Sequence, residues 1–401
     1  MLGLFATLNL ASRSLQTQMT GVEVSGQNLA NVNTKGYTRQ TVEIKPSIDI
    51  NTTIGPEGTG ANAVAIQQAV SALLNRQIQN QQSSTGYWNA QQAALQSAET
   101  SLNEFLNGTG GATSSSSTTD TTDTGLSGQL SSLFSAFQAV ATSPTSISAR
   151  QNLISQAQTL ATTFNQISAQ LDATKASLDT SLNNDVDSAN KLVAGIADLN
   201  KQIAAAQFSG GTANDLLDER EQDLESLSQL ANITTSTETN GAVDVSLGGQ
   251  TLVSGNQVLD TLQTYDAGGG QLLVQTATGG AAVTLAGGSI QGTIDARDGA
   301  LATLQTNLDT LASAIITQVN GVHSGGYSLT GTTGANFFNG TNAATITVNA
   351  ALVNDPSLIQ AAGTATATGD NSVALQLADL ADTAQSALSG QTFSASYGQT
   401  V

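Results

Sequence analysis

The chain has 401 residues, no cysteine, one histidine, 10% charged residues and a formal net charge of −19. That length allows two or three domains, and the lack of thiols excludes a disulfide framework, a thiolate metal site and thiol redox chemistry. The acidic balance argues against nucleic acid and anionic lipid as partners, and no apolar run approaches the ~20 residues of a membrane span.

The start, "MLGLFATLNLASR", has no basic n-region and no clear cleavage site, so it does not read as a Sec-type signal peptide. It opens the first predicted helix instead. Leu8, Leu15, Val22 and Leu29 are spaced by seven, Met1 is in register, and Leu4, Ala11 and Met19 widen the stripe. Sustained heptads predict a narrow coiled-coil seam, on a helix that is marginal alone and needs a partner. Packing of the same stripe on its own domain stays open as the plainer account.

Residues 36–62 lose the pattern. Gly36 breaks the helix, "YTRQTVEIK" alternates like a strand, and Gly55, Pro56, Gly58 and Gly60 mark turns. Helical spacing is expected to return at Ile66, Val70, Leu73 and Leu74. It continues at sevens through Trp88, Leu95 and Leu102, with Ala98 and Phe105 between. Residues 107–125 have the composition of a flexible linker or exposed loop.

A short helix follows at Leu130, Leu133, Phe134 and Phe137, and "SPTS" at 143–146 is a helix start signal. The spacing then predicts one helix from Ile147 to Phe208. Leu153, Leu160 and Ile167 form one seam, and Ala157, Phe164, Leu171 and Leu178 the other. The pattern slips between Thr174 and Leu182, as at a stutter, and resumes through Leu192, Ile196, Leu199 and Ile203. At ~1.5 Å per residue this helix would be roughly 90 Å long, which suits a rod.

"SGGTAND" ends it, and "DLLDEREQDLESLSQL" (215–230) predicts another helix. Residues 233–290 switch to period two, with "VDVSLGGQTLV" and "LLVQTATGGAAVTL" reading as hairpins with Gly-Gly turns. A helix is expected near 293–322, a short strand at Ile346–Val348 and a helix after Asp370; the stop at "FSASYGQTV" reads as that of a fragment. The expected class is α+β, mainly α: an elongated bundle of long heptad-patterned helices with an inserted antiparallel β region. The expected segments are 1–35 (inner coiled-coil helix), 36–232 (helical bundle), 233–290 (β hairpins), 291–340 (return helix) and 341–401 (small insertion and start of a helix).

Chemistry has few candidates. His323 stands alone after a helix beside Ser324, without a nucleophile elbow, and reads as a residue satisfying carbonyls at a helix end. Asp215, Asp218, Glu219, Glu221, Asp223 and Glu225 lack the spacing of a calcium loop and read as a solvated helix face. No Walker A loop or dinucleotide fingerprint is present, so neither an enzyme nor a cofactor or metal site is expected. What remains is interaction chemistry.

The stretch "NLANVNTKGYTRQ", with the heptad helix before it, resembles the N-terminal signature of the bacterial flagellar axial (rod and hook) protein family. Its motif positions here are Asn28, Asn31, Asn33, Gly36, Tyr37, Arg39 and Gln40. The Tyr-x-Arg-Gln ending looks most like members at the hook–filament junction. "DLLDERE" (215–221), "IQGTIDARD" (290–298) and "QVNGVHSGGYSLTGTTGANFF" (318–338) agree with those members. The resemblance implies a secreted, non-enzymatic adaptor in the extracellular flagellum, exported unfolded by the flagellar type III apparatus. It implies self-association in a tubular ring, and contact with the flagellar hook protein and with the next hook-associated protein toward the filament. An export chaperone is implied too; nucleic acid and membrane insertion are not. Two departures matter. The family usually closes with a second heptad helix that pairs with the first, and none is present. The β insertion after the Phe-Phe motif is reduced, to about 340–370.

The cationic residues Lys35, Arg39 and Lys45 are expected where the inner helix bends into the bundle, facing acidic neighbours in the tube; a solubilising turn is the plainer account. The alternatives to a junction protein are another axial protein (hook, rod or third hook-associated protein) and a secreted coiled-coil adhesin. A secreted hydrolase fits least, because no acid and base residues converge.

Overall fold

A computed structural model of the chain describes residues 3–52, 55–106 and 125–400. The expected loop at 107–125 lies outside the described residues apart from Gly125. The chain runs α1 (Leu4–Ala30), β1 (Gln40–Pro46), β2 (Ile50–Thr52), β3 (Gly55–Glu57), β4 (Ala61–Gln68), α2 (Ala72–Leu106), α3 (Leu126–Thr142), α4 (Ile147–Phe208) and α5 (Asn214–Leu230). Six strands follow: β5 (Ile233–Thr237), β6 (Val243–Leu247), β7 (Gln250–Ser254), β8 (Gln257–Val258), β9 (Leu262–Asp266) and β10 (Leu272–Thr276). Then come α6 (Gly288–Asp295), a π-helical turn (Ala296–Leu301), α7 (Ala302–His323), β11 (Phe338–Asn339), β12 (Thr347–Val348), α8 (Ala350–Asn354), α9 (Ser372–Asp379) and α10 (Phe393–Thr400). This is the α+β class expected: long helices with small antiparallel sheets.

The chain divides into two compact units that cut across the five expected segments. One comprises Met1–Gln91 and Ser181–Ile294, the other Gln92–Thr180 and Asp295–Val401.

Several elements differ from the sequence reading. Ile66 does not start α2; it lies in β4 opposite Val42 of β1, in a seven-pair antiparallel ladder with one bulge at Glu43/Ile44. Cross-strand pairing overrides a helical spacing that four apolar residues alone cannot secure. In "VDVSLGGQTLV" the hairpin forms as expected, with both Gly248 and Gly249 at positive φ (55° and 83°), the geometry of a two-residue type I′ turn. In "LLVQTATGGAAVTL" the chain does turn back, but Ala282 makes only an isolated bridge to Gln275, and the ladder partner of β10 is β9. The helix expected near 293 begins earlier, at Gly288, and contains the π turn.

The first unit has its core where α4 (Leu182, Val186, Val193, Ile196) and α5 (Leu224, Leu227) meet the inward residues of the four-stranded sheet (Val243, Val245, Leu247, Leu252, Val253). The start of α2 packs here through small residues. A β-carbon on Gly86 would stand 2.0 Å from the Gln229 carbonyl oxygen, and one on Gly292 would stand 2.4 Å from that of Tyr87. These backbones approach too closely for any side chain, whereas Trp88, in the expected seam, is exposed.

The second unit buries both predicted seams of α4. Leu153, Leu160, Ile167, Ala157, Phe164 and Leu171 all lie in its core, while Leu178 is half-buried. Each large side chain so buried contributes ~1.5–3 kcal/mol. Ser146 caps α4 as its sequence predicts, accepting from Ala149 N–H at 3.3 Å. Residues beyond 340, expected as a small insertion, contribute Ile346, Leu352, Ile359, Leu377 and Leu388 to the same core. Phe393 stacks on Phe134 at 5.6 Å. In the π turn, Arg297 is buried between Asp179 (2.6 Å) and Asp298 (2.7 Å). Burial opposes its charge, but the two carboxylates outweigh that and hold the guanidinium above its ordinary value.

Candidate assembly site

The site begins with the two faces of α1. One face is held: Val24 is buried, and buried Thr17 donates through Oγ1 to Ala61 O of β4 at 2.9 Å. The other face is bare. Leu8, Leu15, Val22 and Leu29 are 65–75% exposed, and Leu4 and Phe5 more so. The plainer account of the heptad is therefore corrected in part: α1 does pack on its own unit, but with residues outside the seam.

The axial motif secures this arrangement through Asn28. Its Nδ2 donates to Gln40 O (2.8 Å), while its Oδ1 accepts from Gln40 N–H (2.8 Å) and from the Tyr37 hydroxyl (3.0 Å). One buried-edge amide thus pins the chain leaving α1 back onto the helix. Asn31 is the C-cap residue and bonds Gln27 O and Thr34 Oγ1. Gly36 takes the left-handed conformation at φ 80°, and its missing β-carbon leaves room for Gln222 of α5. Asn33 is exposed and makes no side-chain hydrogen bond among the described residues.

The second half of the clasp is the acidic helix α5. Asp218 accepts from Thr38 N–H (3.0 Å) and Gln68 Nε2 (2.8 Å), and Asn214 Nδ2 donates to Ile66 O (2.9 Å). Glu221 accepts from Gln79 Nε2 of α2 (3.1 Å). Buried Arg220 donates to Asn200 Oδ1 of α4 (2.9 Å) and Gly241 O (2.8 Å). "DLLDERE" is thus a connector, which corrects the expectation of a solvated acidic face: of its acids, Asp215 and Glu219 are exposed, Glu221 is half-buried and Asp218 is buried. Burial pushes the Glu221 and Asp223 carboxyls up and the Arg220 guanidinium down from their ordinary values. Among the described residues no three acidic or histidine side chains converge to hold a cation.

The cationic residues do not act together. Lys45 pairs with Glu43 of its own strand at 2.9 Å, while Lys35 and Arg39 are exposed without an ion pair among the described residues. Arg39 borders a groove of about 440 Å³ whose walls include Leu74, Ile78, Leu217, Glu221 and Glu225.

His323 is structural. It is buried at the end of α7, and because Gln360 N–H donates to Nε2 (3.0 Å), the ring proton sits on Nδ1 and donates to Ala335 O (2.8 Å). Burial drives its pKa down to about 4, so the ring is neutral and locked.

A family profile described as "Flagellar hook-associated protein FlgK helical domain" matches residues 113–338, more than half of the chain. The chain belongs to that family. It is 29% identical over 245 residues to "Flagellar hook-associated protein 1" of Bacillus subtilis (strain 168), covering 59% of this chain and 45% of that relative. To the protein of that name in Salmonella typhimurium it is 26% identical over 349 residues, covering 82% and 59% of the two chains. The structure of the flagellar hook junction protein FlgK from Burkholderia pseudomallei superposes with a TM-score of 0.54 at 28% identity. That match covers 66% of this chain and 46% of the other. The chain spans about half the length of the relatives it matches.

The profile begins after α1 and its motif, so the clasp is read from this chain's own geometry. The motif residues Asn28, Tyr37 and Gln40 are legible in sequence. The other members of the clasp, Gln68 and Asp218, are not, because 150 residues separate the two and no local signal links them.

Proposed function

We propose that the chain is a structural constituent of the bacterial flagellum that assembles at the hook–filament junction through α1. The bare heptad seam carries this reading. Water-exposed leucines at a seven-residue spacing, on a helix whose other face is already bonded, are the surface of an incomplete coiled coil. The names of the relatives support the location. The clasp supports the mechanics: Asn28, Thr17 and Asp218 fix the angle at which α1 leaves its unit.

In this reading copies of the chain associate in a ring. The hook protein lies on one side and the next hook-associated protein on the filament side. The chain reaches the cell exterior through the flagellar type III apparatus, escorted by an export chaperone. Lys35 and Arg39, unpaired within the chain among the described residues, face carboxylates of a neighbouring copy. With 26 acidic against six basic residues beyond position 91, a neighbour's surface supplies such carboxylates readily.

The test is immunogold electron microscopy of intact cells with antibody against residues 150–330. Gold in a narrow band between hook and filament is the expected outcome. Gold along the filament or over the cell body overturns the reading. Charge reversal at Arg39 that leaves assembly and motility unchanged removes the ionic part of it.

A further inference from the structure

The stretch 318–338 and the segment after α8 meet around the single imidazole of the chain. His323 is fully buried, and both ring nitrogens are bonded: Nδ1–H to Ala335 O and Nε2 from Gln360 N–H. The Gln360 side chain closes the knot, its amide nitrogen donating to His323 O (2.6 Å) and its oxygen accepting from Ala335 N–H (2.9 Å). Phe337 packs edge-on against the ring at 5.3 Å. From α4, Arg150 reaches in fully buried, donating to Pro144 O (2.9 Å) and to Ile359 O (2.5 Å). Among the described residues, Arg150 is the one charged group that approaches the ring from these elements. Its effect on the imidazole is repulsive toward a proton.

One helical turn away on α7, a neutral group does similar work. Asn320 Oδ1 accepts from the N–H groups of Phe337 and Phe338, both at 2.8 Å, and its Nδ2 donates to Phe338 O (2.8 Å). An amide does not titrate, so this anchor is indifferent to pH.

We propose that His323 is an acid-sensitive latch: uptake of one proton from water releases Gln360, and with its side-chain amide the Ala335 N–H, from the end of α7, while Nδ1–H stays bonded to Ala335 O and Asn320 keeps Phe337 and Phe338 in place. The reasoning is stereochemical. A proton on Nε2 removes the only acceptor for Gln360 N–H and sets two donors face to face at 3.0 Å. It also places a second cation beside Arg150 with no carboxylate in the knot to offset it.

The sign follows from linkage. The folded-state pKa lies near 4, below the ordinary 6.5, so the latch's contribution is complete above 6.5 and is lost as pH falls toward 4. The full effect is on the order of a hundredfold in the local closing equilibrium.

Because the chain has one histidine, NMR titration of the imidazole in the intact protein is unambiguous. Combined with amide hydrogen exchange from about pH 7 to about pH 4, it is expected to show a neutral Nδ1–H ring through most of that range. After correction for intrinsic rates, the amides of Ala335 and Gln360 should lose protection while those of Phe337 and Phe338 keep theirs. Titration near 6.5, or equal loss of protection at all four amides, overturns the proposal. The variant His323→Asn, which has no titrating ring, should lack the acid-induced change; an unchanged profile assigns it to carboxylates and overturns the latch. Should that variant not fold, the titration and exchange of the unaltered chain still decide.

Discussion

Two helices of this protein carry the same heptad signal and meet opposite fates. In α4, Leu153, Leu160 and Phe164 are completely buried, whereas in α1 Leu8, Leu15 and Leu29 are 65–75% exposed. The difference is one of available partners. The seam of α4 faces α3, α7 and the segment beyond 340, all rich in Leu, Ile and Phe. The side of α1 that meets the β1–β4 hairpin carries Thr17 and Asn28, which bond backbone, and one buried apolar residue, Val24, in place of a run of large core residues. Periodicity therefore marks a surface that wants burial, and the rest of the chain decides whether the burial happens within one copy.

The largest test of that contrast is Phe164→Ala. A fully buried aromatic on α4 should cost about 3–5 kcal/mol in a denaturant titration. A loss under about 1 kcal/mol would mean that the seam is not a packed core.

Asn28→Ala comes next. It removes three hydrogen bonds at the clasp and leaves the Tyr37 hydroxyl and Gln40 without their partner, so about 1–3 kcal/mol should be lost. Hydrogen exchange at Gln40 N–H should rise first, and exchange in α4 should stay unchanged.

Glu221→Gln is expected to act in the opposite direction. The carboxyl is held above its ordinary value by burial, with Glu225 adding repulsion and hydrogen bonds from Gln79 and Asn75 opposing the shift. Stability tied to this group is full below the unfolded-state value and declines as pH rises through the folded-state value. The neutral isostere should therefore stabilise the protein at pH 7 by a few tenths to ~1 kcal/mol, after discounting for solvent screening, and flatten the decline of stability as pH rises above about 4.5. Thermal unfolding across that range checks it.

The smallest effect on the isolated chain should be Leu15→Ala, within about 0.5 kcal/mol, because the side chain is already in water. The same change should reduce incorporation into flagella, measured by the antibody labelling described above. Normal incorporation would deny the seam a role in assembly.

Much of the architecture was readable from local pattern. The bounds of α4 follow from its apolar spacing and from Ser146, and its slip between Thr174 and Leu182 spans the place where the two units divide. The Gly248–Gly249 hairpin follows from turn stereochemistry. What failed locally failed for non-local reasons. Ile66 looks helical until Val42 pairs with it, and the acids of "DLLDERE" look solvated until Thr38, Gln68 and Gln79 bond to them. The π turn at Ala296–Leu301 has no sequence signature of its own; what the structure places there is Arg297 between Asp179 and Asp298.

The sequence by itself determined the class of molecule: a thiol-free, acidic, mainly helical chain with heptad seams. Those properties depend on composition and on spacing within a few turns. Only the tertiary structure decided which seam is covered, that Asn28 and Asp218 form one clasp, and that the lone histidine is a buried neutral knot. Each of these depends on groups tens to hundreds of residues apart, and burial and hydrogen bonding at such distances are set by folding rather than by local pattern.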